Sequence, residues 1–173
     1  YLALGEIGGV MVPGFDFGNS PSEIAATGGD FFLGKKIVQR TSAGVRGIFA
    51  AVENCESVYA AGFTTAKATA ELLKKENPSQ VYIVAMGHAG EFRTPEDEYC
   101  AAYIQSLLDP LSPYDHAGAL AEILSHESAQ KFLRGDKPHF PPADVSWCIK
   151  RDIFPFAMKV FAGPEGIELR GVE

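Results

Sequence analysis

Pro13-Gly14-Phe15-Asp16-Phe17-Gly18-Asn19-Ser20-Pro21 sets a carboxylate, an amide and a hydroxyl in one loop punctuated by glycine and proline. Ser20, Pro21 and Glu23 have the spacing of a capping box, with the hydroxyl at the N-cap and proline at the first helical position. Asp16 and Asn19 therefore sit on a short tether ahead of a helix. There they either hold a metal or an anion beside free N–H groups, or satisfy the backbone of the turn.

Two further loops carry chemistry. Arg40-Thr41-Ser42-Ala43-Gly44-Val45-Arg46 combines hydroxyls, small residues and a helix start, the ingredients of an anion cradle. Arg40 and Arg46 can each offer a bidentate contact to an acidic oxygen group. The Gly-Lys-Ser/Thr ending of a Walker A loop is absent. Gly87-His88-Ala89-Gly90 puts an imidazole between glycines, suited to proton transfer, to anion or metal binding, or to a structural role. Glu96 and Asp97 follow in the first turn of a helix, a place where the dipole favours negative charge in any case. Glu6, between Gly5 and the Ile7-Gly8-Gly9 turn, is the best partner of Asp16 for a hard cation such as Mg²⁺.

These loops need a scaffold that brings them together. From Lys36 to Glu98 strands and helices alternate: Lys36–Arg40, Val45–Glu53, Ser57–Ala61, Thr65–Lys75, the apolar Val81–Met86, and a helix capped at Thr94-Pro95. Repeats of this length predict a parallel sheet covered by helices on both faces, with ligands beyond the carboxyl ends of its strands. Val81–Met86 reads as its central buried strand. Beyond Asp109-Pro110 the pattern predicts packing helices at 115–125, 127–133 and 140–149. A hairpin follows, with arms at 158–162 and 167–170 joined across 163–166.

The chain of 173 residues fits one domain, 46% hydrophobic and 21% charged, with no membrane-length apolar run and no visible signal peptide. It starts at Tyr1 in what reads as mid-domain sequence, so an N-terminal portion is expected to be missing. A net charge of −7 excludes a general nucleic-acid binder and requires a local positive pocket for any anionic substrate. Cys55, Cys100 and Cys148 fit neither a disulfide framework nor a metal spacing, which points to a reducing, cytoplasmic setting.

Together the motifs resemble the 2-phosphosulfolactate phosphatase family of coenzyme M biosynthesis. The matching segments are Gly5-Glu6 with Gly8-Gly9, Pro13 to Pro21, Thr41 to Gly44, Gly87 with Gly90 and Phe92, and Glu96-Asp97, over roughly residues 4 to 108. The resemblance implies a three-layer α/β/α fold with a largely parallel sheet, a possible homodimer, and Mg²⁺-dependent hydrolysis of 2-phospho-3-sulfolactate. The residues and the resemblance together suggest Asp16 and His88 as catalytic groups, and Glu6, Asp16, Glu96 and Asp97 around the metal. The substrate would meet Asn19, Ser20, Arg40, Thr41, Ser42, Ala43, Gly44, Arg46, Gly87 and Gly90. The chain departs from the family at Val45, where a threonine is usual, and in lacking an Asp-x-x-Arg motif. A non-catalytic anion-binding module, or a phosphatase for another small organic phosphate, stand as alternatives.

Overall fold

The computed structural model describes residues 1–164 and 166–173. Strand β1 (Leu2–Ile7) turns through Gly8 and Gly9, with φ of +61° and +86°, into β2 (Val10–Met11). Two successive positive φ values match the twist of a tight antiparallel pair, and glycine adopts them without strain. After the loop come α1 (Pro21–Thr27) and α2 (Gly29–Phe32), then β3 (Ile37–Arg40), which pairs parallel to β1 from Leu2↔Ile37 to Gly5↔Arg40. Phe17 bridges Leu4 in parallel on the other side of β1, and Gly5 N–H donates to Phe17 O at 3.0 Å. Gly5 is enclosed between them: a Cβ there would lie 2.8 Å from Arg40 O.

Helix α3 (Gly44–Val52) leads to β4 (Tyr59–Ala60), and α4 (Ala66–Glu76) ends at Asn77, left-handed at φ +48°, just before Pro78. Helix α5 (Pro95–Leu108) opens with Pro95 in its first turn as expected, but the expected hydroxyl cap is not made, because the buried Thr94 Oγ1 bonds to no first-turn N–H. Helices α6 (His116–Ser125), α7 (Glu127–Leu133) and α8 (Ala143–Cys148) follow, then the β5 (Ala157–Gly163) and β6 (Gly166–Val172) hairpin. Its arms pair in register from Ala157↔Val172 to Gly163↔Gly166; Glu165 of the connecting turn lies outside the described residues. The predicted helix at 140–149 is shorter than expected, because Pro141-Pro142 cannot be helix interior and α8 starts after them.

The architecture is mixed α/β, and the expected large parallel sheet is replaced by two three-stranded sheets, ordered β2-β1-β3 and β4-β5-β6. The β1·β3 pair is parallel, whereas β4 and β6 both flank β5 antiparallel. The expected central strand Val81–Met86 joins no ladder, and Val81, Tyr82, Ile83 and Val84 are 39%, 74%, 37% and 73% exposed. Its composition favours burial on both faces, but a strand needs an adjacent edge as well as an apolar sequence, and here no described strand flanks it. Burial falls to the helices instead. Phe63, Ala66, Tyr103, Ile104 and Ile123 form a core cluster, with Tyr99, Cys100, Leu107, Leu108, Tyr114 and Ile149 packed against it. Burial pushes the Cys100 thiol up to about 12, so this cysteine is a packing residue rather than a nucleophile. No helix among the described residues is long and apolar enough to cross a membrane.

Candidate functional site

β1 and β3 run side by side in the same direction, and the loop at residues 16–19 joins β1 through a single parallel bridge from Phe17 to Leu4. Their carboxyl ends deliver Asn19, Glu6 and Arg40-Thr41-Ser42 to one edge, and direct hydrogen bonds join them. The Glu6 carboxylate accepts from Gly9 N–H at 2.7 Å and from Ser42 Oγ at 3.1 Å. Arg40 Nη1 donates to the Glu6 carbonyl, while Asn19 Nδ2 donates to the Arg40 carbonyl at 3.3 Å. Asn19 Oδ1 is shielded from solvent and has no hydrogen-bond partner. Just beyond, Thr41 Oγ1 accepts from Val45 N–H at 3.5 Å at the start of α3. Ala43, at the N-cap, offers no side-chain cap, so other first-turn N–H groups stay available to an acidic ligand.

Arg46, in the first turn of α3, reaches the His-bearing loop and donates to Ala89 O at 3.2 Å. Gly87, at φ +63°, has no room for a side chain because a Cβ would collide with Phe92 O. Its N–H donates to Asp97 Oδ2 at 2.6 Å. Burial raises the Asp97 carboxyl above its ordinary value; the Gly87 N–H pulls it back down, and the neighbouring Glu96 charge adds to the rise. Gly90, at φ +72°, completes the turn, and the His88 side chain is exposed there. Loop 40–46 thus touches both the Glu6 edge and the 87–90 turn.

The four carboxylates expected at a metal are spread over separate settings. Asp16 Oδ2 accepts from Ala3 N–H at 2.8 Å, roughly 10 Å along β1 from Glu6 at strand rise. Glu96 accepts from Ser128 Oγ at 2.8 Å, and Asp97 holds Gly87. Among the described residues no group of three or more His, Cys, Asp or Glu is placed to hold a metal. What the edge does offer a hard cation is oxygen: the Glu6 carboxylate, the Ser42 hydroxyl beside it, and the partnerless Asn19 Oδ1. That donor type suits Mg²⁺, which needs one or two carboxylates when water and substrate phosphate complete the shell.

Ser20 is committed elsewhere. It caps Glu23 N–H at 3.3 Å, as expected, and donates to Asp144 Oδ1 at 2.8 Å. The same oxygen accepts from Ser22 N–H at 3.0 Å and Ser22 Oγ at 2.6 Å, and Asp144 is 4% exposed. Sequence reasoning passed over Asp144, whose pairing with residues 122 and 124 positions away leaves no local mark. It also gave His139 no role, yet that ring lies against the Gly9 turn that Glu6 braces.

The family model described as 2-phosphosulpholactate phosphatase matches residues 1–161. A Bacillus subtilis protein named probable 2-phosphosulfolactate phosphatase is 33% identical over 162 residues, covering 92% of this chain and 68% of its own length. A Synechocystis protein of the same name is 32% identical over 135 residues, covering 78% of this chain and 54% of its own length. A Prochlorococcus marinus relative, again so named, is 34% identical over 107 residues, or 62% of this chain and 42% of its own length. The chain therefore spans from under half to about two thirds of these relatives.

Proposed function

The chain belongs to the 2-phosphosulpholactate phosphatase family of phosphoric monoester hydrolases, and from that premise we propose that the protein hydrolyses 2-phospho-3-sulfolactate to phosphate and sulfolactate with Mg²⁺. The observation that carries this reading is the bonded edge of Glu6, Ser42, Arg40 and Asn19 at the carboxyl ends of parallel segments. Glu6, helped by Asn19 Oδ1, would hold the metal, which when bound neutralises charge on the phosphoryl group and activates water.

The chain's own groups do the rest. The open first-turn N–H groups of α3 and the Arg40 guanidinium receive phosphate oxygens, which develop charge as the ester bond breaks. Ser42 Oγ, anchored on Glu6, orients one of those oxygens. Arg46 fixes the 87–90 turn, from which His88 gives a proton to the departing alkoxide oxygen. Asp16, engaged with β1, shapes the loop that carries Asn19.

Phosphate release by the full-length protein, followed with added Mg²⁺, tests this. Glu6→Gln keeps the side chain's size and should cut turnover by at least about 100-fold. Near-normal turnover would remove Glu6, and with it the proposed metal site, from the reaction.

A further inference from the structure

Next to the Glu6 edge, the loop between α7 and α8 lays Phe140 on the β1–β2 turn. A Cβ at Gly9 would collide with the Phe140 ring, and His139 Cδ2 would lie 3.4 Å from the same atom. Only a glycine lets the ring seat there. Basic side chains gather round that ring: Lys131 Nζ is 5.1 Å and Lys137 Nζ 5.9 Å from its centroid, and the His139 ring centroid is 4.4 Å away. Phe132 backs the ring at 4.8 Å.

The aromatic faces hold the ammonium groups in place without neutralising them. Glu127, on the same helix as Lys131, is taken by Arg134 at 2.7 Å, and neither Lys131 nor Lys137 forms an ion pair among the described residues. In a chain of net charge −7 this is a local gathering of basic groups, although Lys131 still feels the Glu127 charge and Asp136 adjoins Lys137 in sequence. It shares a border with the proposed phosphate edge, because Glu6 binds Gly9 N–H on one side and Ser42 on the other.

We propose that Lys131, Lys137 and His139, gathered round Phe140, form a sulfonate subsite that reads the substrate's second acidic group. This assignment rests on the phosphatase reading above and adds the residues that set specificity. Two acidic groups on adjacent carbons need subsites that touch, and the Gly9 turn is where these two meet. Ammonium groups and an imidazole N–H suit a sulfonate, whose own charge strengthens the hydrogen bonds they donate.

The test compares 2-phospho-3-sulfolactate with 2-phospholactate, which keeps phosphate and carboxylate but lacks the sulfonate. In the full-length protein, Lys131→Gln, Lys137→Gln and His139→Gln should each raise KM for the sulfonated ester about tenfold, the size of one lost charge-assisted hydrogen bond. KM for 2-phospholactate and the melting temperature should stay unchanged. An unaltered preference for the sulfonated ester, or equal KM rises for both esters, would overturn the subsite. Binding gives an independent reading: sulfolactate, and not lactate, should shift the His139 imidazole resonances. If the wild type hydrolyses neither ester, the phosphatase reading fails, and that titration alone still decides the subsite. No shift with sulfolactate would then refute it.

Discussion

The helical region around Phe63, Tyr103 and Ile123 and the edge around Glu6 are held together by opposite means. In the first, α4, α5 and α6 each contribute buried residues to a common apolar cluster. In the second, α1, α2 and α3 contribute no buried residue, and all of β3 is exposed. There, hydrogen bonds between side chains and backbone fix the shape. The contrast teaches a division of labour. Apolar burial in the helices supplies stability, while the edge is shaped by polar groups that bond to one another and, apart from the shielded Asn19 Oδ1, lie near the surface.

If the division holds, substitutions in the two regions should separate stability from turnover. The largest effect is expected in the core: Ile123, 3% exposed, changed to Ala should cost about 2–5 kcal/mol in chemical denaturation, with turnover per folded molecule unchanged. The loss in Glu6→Gln should run the other way, in turnover and not in melting temperature. Asp144 joins the regions, so Asp144→Ala should lower both. Leaving the Ser20 and Ser22 donors without their buried acceptor should cost about 1–3 kcal/mol, and Asp144→Asn should recover part of it. A core change that abolished turnover at full folding would break the comparison.

The smallest effect concerns pH. The Asp97 carboxyl is raised in the folded protein, chiefly by burial. The folded state therefore binds more protons than the unfolded one just above the ordinary carboxylate range. The stability this contributes is present at low pH and is lost as pH rises through the shifted value. Asp97→Asn, which can still accept from Gly87 N–H, should flatten that part of the stability–pH curve. An unaltered slope would show that Asp97 is not its source.

Local signals in the sequence were legible. Ser20-Pro21, Thr94-Pro95 and Asn77-Pro78 mark helix ends by chemistry that needs only near neighbours, and α1, α5 and α4 begin or end there. The hairpin arms of β5 and β6 were equally clear. Part of the site was legible for a related reason: the predicted strand Lys36–Arg40 leads into Thr41 and Ser42, whereas the strand β1 that carries Glu6 was not marked out. What stayed hidden depends on distant partners. Val81–Met86 has the composition of a buried strand, but composition names no neighbour. Asp144 under α1 and Phe140 on Gly9 join residues more than a hundred positions apart, and neither pairing has a short-range signature.

The ribbon at Val81–Met86 has a consequence for how the protein behaves in bulk. Among the described residues the amides and carbonyls of this apolar stretch are unclaimed, so a further strand, of the full-length protein or of another copy, can zip onto it, and it contains no lysine, aspartate, glutamate or proline to interrupt such pairing. What opposes coalescence is mutual repulsion between copies each carrying −7. Colloidal behaviour should therefore follow ionic strength: salt that shields the copies from one another brings these ribbons into contact.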